Sequence, residues 1–140
     1  MPQRHLARAI ALQSLFMWDF NDEDSKNLHF YIDYAIREFA PPGAVDRAFI
    51  ERLVKEIVAS KDELDIHINR YAKEWPVERL TIIDRTILRI ALFEMMHEKD
   101  IPAKVAINEA VELAKEFSGA SSKKFVSGVL GAVYETSFKN

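Results

Sequence analysis

Side chains able to do covalent or proton-transfer chemistry are sparse and scattered in this sequence. There is no cysteine, which excludes thiolate nucleophiles, thiolate metal sites and disulfides together. The four histidines, His5, His29, His67 and His97, do not fall at metal-ligand spacing from one another. Glu109 and Glu112 stand three residues apart and could share a cation. No second Glu-x-x-His helix completes a di-metal site, so solvated helix charge is the plainer reading. A glycine-rich phosphate loop and a G-x-S-x-G elbow are both missing. The expectation is a protein that binds rather than catalyses, with no catalytic residue, no metal and no cofactor.

Cationic and aromatic side chains remain. The formal net charge is −3, which opposes strong nucleic-acid binding by bulk electrostatics. Its distribution says more. Residues 1–18 carry Arg4, His5 and Arg8 and no carboxylate, Asp19 being the first acid. On a helix these three cationic groups fall within an arc of about 100°, which Leu12 and Leu15 share further along. Such a face suits a phosphate clamp, because arginine forks match phosphate oxygens. A solvated helix end fits the same spacing.

Two more clusters stand out. Arg85 and Arg89 lie one turn apart on an otherwise apolar stretch, where an arginine commonly pairs with a buried acid; Glu109 is a candidate. Asp84 sits where a carboxylate favours the helix dipole, and capping alone could explain it. Lys123 and Lys124 follow Ser121 and Ser122 in an expected first turn, where lysine opposes the dipole. That placement suggests an anion contact or ordinary exposed lysines. Asn108, in a helix interior, is expected to make a specific hydrogen bond.

The elements that must hold these residues read as helices throughout, with no alternating strand pattern and no solenoid repeat. At 140 residues and 49% hydrophobic content the chain suits one folded domain. A first helix is expected from about Gln3 to Trp18, with Pro2 near its first turn. A second follows Ser25 as N-cap and stops at Pro41-Pro42-Gly43. A third runs from Val45 to about Ala59, with Phe49, Ile50, Leu53 and Ile57 as its apolar stripe. Ser60 and Glu63 form a capping-box pattern for a fourth that ends before Pro76, and Val77–Leu80 suit a short turn. Thr81 and Asp84 open a fifth, Ile82 to about His97, apolar on almost every side and therefore central. Ala103–Phe117 and a last helix capped by Ser121 or Ser122, with Phe125, Val129 and Val133 inward, complete an irregular all-α bundle of seven or eight helices. No apolar run approaches the ~20 residues that span a bilayer. The N-terminal stretch is broken by Gln13, Trp18 and Asp19, which suits an ordinary helix better than a signal peptide.

Three segments carry a resemblance. They are Ala7-Arg8, Ala11-Leu12-Gln13 and Leu15-Phe16; Ile83–Ala91 with Glu94; and Ile101-Pro102, Lys104–Lys115 and Lys124–Leu130. In order and spacing they resemble the NusB family of antitermination proteins over nearly the whole chain. The resemblance implies two packed helical subbundles in one domain, residues 1–140, and an RNA-binding, non-enzymatic role in the cytoplasm. It implies binding of boxA-type single-stranded RNA together with NusE, a small-subunit ribosomal protein. It further implies indirect contact with other Nus factors and RNA polymerase, notably during ribosomal RNA transcription. Carried over by position, RNA would lie near Arg4, His5, Arg8, Phe16, Ser121, Ser122, Lys123 and Lys124. Phe16 stands where the family often has tyrosine, as a base-stacking ring or a core residue. Glu78, Asp84, Arg85 and Phe125 would face NusE. The family leaves a homodimer open. Similar domains occur fused to ribosomal RNA methyltransferases, but no glycine-rich cofactor fold is present here. A protein-only helical adaptor is the alternative function.

Overall fold

The structure is a computed structural model that describes residues 4–139. Pro2 and Gln3, expected at the start of the first helix, lie outside the described residues. Seven α-helices and two 3-10 turns make up the described chain, with no strand among the described residues. The chain divides into two compact units, Met1–Ala59 and Ser60–Asn140.

The first unit holds α1 (Arg4–Phe20), α2 (Leu28–Phe39) and α3 (Arg47–Ala59), with α1 packed on both others. Helix α1 buries every residue from Ala7 to Leu12, and beyond them one face that holds Ser14, Leu15, Trp18 and Asp19. The Ser14 hydroxyl donates to the Ile10 carbonyl at 2.9 Å, so a polar group is satisfied inside that face. Helix α1 runs two residues past the expected Trp18. Its end is closed by the amides of Glu23 and Asp24, which donate to the Trp18 carbonyl at 2.8 and 3.3 Å. Ser25 does not cap α2 directly. It opens a 3-10 turn, Ser25–Asn27, and its hydroxyl accepts from the Trp18 indole at 3.1 Å. Helix α3 begins at Arg47 rather than Val45. The Asp46 carboxylate accepts from the Phe49 amide at 3.2 Å and caps the helix there.

The second unit holds α4 (Lys61–Tyr71), α5 (Ile82–His97), α6 (Ala103–Phe117) and α7 (Ala120–Ser137). Helix α5 is its centre, packed on all three others, and every residue from Thr86 to Met95 is buried. The Thr81 hydroxyl accepts from the Asp84 amide at 3.1 Å, the expected N-cap. Ser60 makes no such bond although α4 starts beside it. Helix α4 ends at Tyr71, short of Pro76. The Asn69 side chain then accepts from the Val77 amide at 2.8 Å and ties down the connection. Arg89 meets Asp65 of α4, an acid that the sequence reading did not single out. Gly119, with φ 134°, precedes α7 as its N-cap, so neither Ser121 nor Ser122 caps it, and Lys123 and Lys124 are its fourth and fifth residues. Val126, Val129, Leu130 and Val133 point inward from α7, while Phe125 is only half-buried. Asn108 is exposed to water rather than held inside.

Candidate functional site

In the first unit the cationic groups at the start of α1 differ sharply in what they offer. Arg4 is exposed, and its guanidinium lies 3.9 Å from the Phe49 ring centroid and 3.8 Å from an Asp46 carboxylate oxygen. Arg52 approaches the same ring at 5.9 Å. Phe49 was expected in the core; half-buried, it carries a guanidinium over its face and holds Arg4 in place. His5 is half-buried. Arg8 is 5% exposed. At that burial Arg8 is far less open to a phosphate in solvent than Arg4 is. The phosphate reading of this helix end rests on Arg4 and His5.

Phe16 is half-buried, and its ring lies nearly parallel to Phe20, centroids 6.0 Å apart with an interplanar angle of 10°. Phe20 is 66% exposed and was missed in the sequence, where it falls beyond the expected end of the helix. A base approaching Phe16 from that side meets Phe20 first.

In the second unit Ser121, Lys123 and Lys124 are exposed on the first turns of α7. The Ser122 and Ser118 hydroxyls lie 2.6 Å apart and share a hydrogen bond. The groups expected to face a protein partner gather around the start of α5. Arg85 donates to the carbonyls of Glu78 and Leu80, each at 3.3 Å, and so braces the 3-10 turn Val77–Arg79. Glu78 is exposed on that turn. Asp84 is half-buried, and its Oδ1 accepts no hydrogen bond among the described residues. Asp84 and Phe125 line a concavity of about 420 Å³ together with Trp75, Arg79, Leu80 and Thr81. Trp75, 51% exposed with the Arg79 guanidinium 6.0 Å from its ring, was not singled out in the sequence. Its signal there was a large aromatic in a connection, beside Pro76 and outside any helical stripe.

No group of three His, Asp or Glu side chains able to hold a metal occurs among the described residues. No helix among them is long and apolar enough to cross a membrane.

Fold and surface together define an all-α protein of two helical units whose exposed cationic and aromatic groups suit macromolecular binding. Comparison with known proteins makes the assignment specific. The chain belongs to the NusB family, whose model matches residues 5–135. It is 46% identical over 130 residues to the transcription antitermination protein NusB of Dehalococcoides mccartyi, covering 93% of this chain and 88% of that protein. Among solved structures it is similar to T. maritima NusB, with a TM-score of 0.82 at 30% identity over 96% of this chain and 93% of that one. It is similar also to a structure of antitermination factors NusB and NusE in complex with double-stranded RNA. There the TM-score is 0.80 at 26% identity, over 95% of this chain and 96% of that one.

Proposed function

We propose that this chain is a cytoplasmic transcription antitermination factor. It binds boxA-type single-stranded RNA together with NusE, and through that pair acts on RNA polymerase, notably in ribosomal RNA transcription. It works by binding, with no chemical step of its own. The observation that carries the reading is family membership across residues 5–135. The fold likeness to a NusB protein solved with NusE and RNA adds to it.

The residues fit a binding role of modest strength. Arg4 and His5 in one unit, and Lys123 and Lys124 with the Ser121 and Ser122 hydroxyls in the other, supply the phosphate contacts. Phosphate contacts position a nucleic acid without reading its sequence. Phe16, with Phe20 beside it, supplies an aromatic surface for an unpaired base, a contact worth about 1–3 kcal/mol in single-strand binders. Glu78, Asp84, Arg85 and Phe125 face NusE. Because the net charge is −3, RNA affinity is expected to rise when NusE joins.

A protein-only adaptor remains the second reading. It is favoured by the burial of Arg8 and by the engagement of Arg4 with Phe49 and Asp46, which thin the basic end. Titration of a boxA-type RNA with and without NusE, at several salt concentrations, decides between them. The antitermination reading expects binding, tighter with NusE, whose logarithm falls linearly with the logarithm of salt. No binding under either condition would leave the adaptor.

A further inference from the structure

The large apolar side chains that stay exposed among the described residues of the first unit, Phe20, Phe30, Tyr34 and Phe39, are all aromatic. Two of them share a face of α2. At 100° per residue, Phe30, Tyr34 and Arg37 fall within an arc of about 60°, opposite the buried Leu28, Ile32 and Ala35. The two rings are 57% and 37% exposed, with centroids 6.4 Å apart. The Arg37 guanidinium lies 5.8 Å from the Tyr34 centroid. The opposite face of α2 supplies its core contacts, so this stripe is left to solvent.

Flat rings in a row with a guanidinium beside them have the composition of a single-strand binding platform. Each exposed ring can take one unpaired base, and a guanidinium can stack on a base or fork a phosphate. The nearby acids do little to oppose this. Asp33, at the edge of the stripe, bonds Arg47 and lies 3.2 Å from His29. Glu38 approaches Arg37 at 3.8 Å with both side chains exposed, a contact worth little in water. A chain of net charge −3 draws little RNA affinity from bulk attraction, whereas stacking does not depend on net charge. The stripe also adjoins the proposed phosphate end. Arg47 opens α3 and reaches back to Asp33 of α2, while its neighbour Asp46 receives Arg4 at 3.8 Å. The Asp33 side of α2 and Arg4 therefore meet at the same helix start.

We propose that the Phe30, Tyr34 and Arg37 face of α2 binds the unpaired RNA that flanks the boxA element, with one base on each ring and Arg37 against the phosphate chain. This rests on the reading that the chain binds boxA-type RNA. It adds three residues that the family resemblance did not assign, and it carries the RNA contact from Arg4 onto the outer face of α2.

The test uses the full chain with NusE and two kinds of RNA: the boxA element alone, and the element extended at one end or the other by unpaired uridines. The variants are Phe30→Ala/Tyr34→Ala and Arg37→Gln, whose side chains lie outside the core, so their melting temperatures should stay close to that of the unaltered chain. Expected is an extended RNA that binds the unaltered chain about tenfold more tightly than the element does. The double variant should lose that advantage and keep its affinity for the element. Arg37→Gln should lose part of it and lower the salt slope by about 1. Iodouridine placed in the extension should photocrosslink to Phe30 or Tyr34. No advantage from either extension, or a full advantage in the double variant, overturns the platform and leaves the boxA reading standing. Equal losses for the two kinds of RNA overturn the assignment to flanking RNA. Loss of NusE affinity or of self-association in the double variant, with the RNA advantage intact, makes the stripe a protein contact instead. No binding of the element by the unaltered chain with NusE removes the boxA reading and the platform with it.

Discussion

Arg89 forks Asp65 inside the second unit, Nε to Oδ1 at 2.8 Å and Nη2 to Oδ2 at 3.0 Å, with both side chains nearly out of solvent. The pair ties α4 to the central α5. Lys61 stands 3.6 Å from the same carboxylate and adds positive charge at its outer edge. Removing one partner of a buried pair leaves the other charge desolvated and unmatched. Asp65→Ala should therefore cost about 3–5 kcal/mol in denaturant unfolding, while an Arg89→Met/Asp65→Leu double variant should recover most of it. If the single variant matched the unaltered chain, the pair would be incidental to stability.

Leu88 tests the centrality of α5 by packing alone, since it is fully buried. Leu88→Ala should cost about 2–5 kcal/mol, because the cavity left behind adds to the lost transfer energy. A loss well under 1 kcal/mol in chemical denaturation would mean that the neighbouring helices collapse onto the site.

The first unit should lose stability in acid in part through Asp33, one of two carboxylates, with Asp24, that hydrogen bonds hold below the ordinary value. Arg47 bonds the Asp33 carboxylate and holds it below its ordinary 3.8, with His29 adding a contact at 3.2 Å. A carboxyl depressed on folding contributes stability above its unfolded value, about 3.9, and loses it as pH falls through the lower folded value. Unfolding followed from about pH 5 down to about pH 2 should show that loss, and Arg47→Gln should flatten it. An identical acid slope in the two proteins would assign the effect to other carboxylates.

Arg4 and Arg8, alike in sequence, should separate in experiment. Arg4→Ala should weaken binding of boxA and scrambled RNA about equally and lower the salt slope by about 1. Arg8→Ala should act on the melting temperature first, since its buried guanidinium is far less open to phosphate than that of Arg4. RNA affinity falling in Arg8→Ala with stability untouched would return Arg8 to the phosphate face.

Much of the architecture was legible in the linear sequence because helical periodicity and capping are local. The all-round apolar stretch Ile82–His97 announced a central helix, and Thr81 three residues before Asp84 announced its start; both stand in the structure. The arginine on that helix announced a buried acid, since a buried charge needs one. Which acid was a question of distance in space, and Asp65, a whole helix earlier in the chain, lies where the packing of α4 on α5 put it. The same limit governs the surface. Residue type made Arg4, Arg8 and Phe125 alike as candidates, but accessibility depends on what packs over each one. Only the tertiary structure leaves Arg4 over Phe49, Arg8 inside, and Phe125 and Trp75 around a shared hollow.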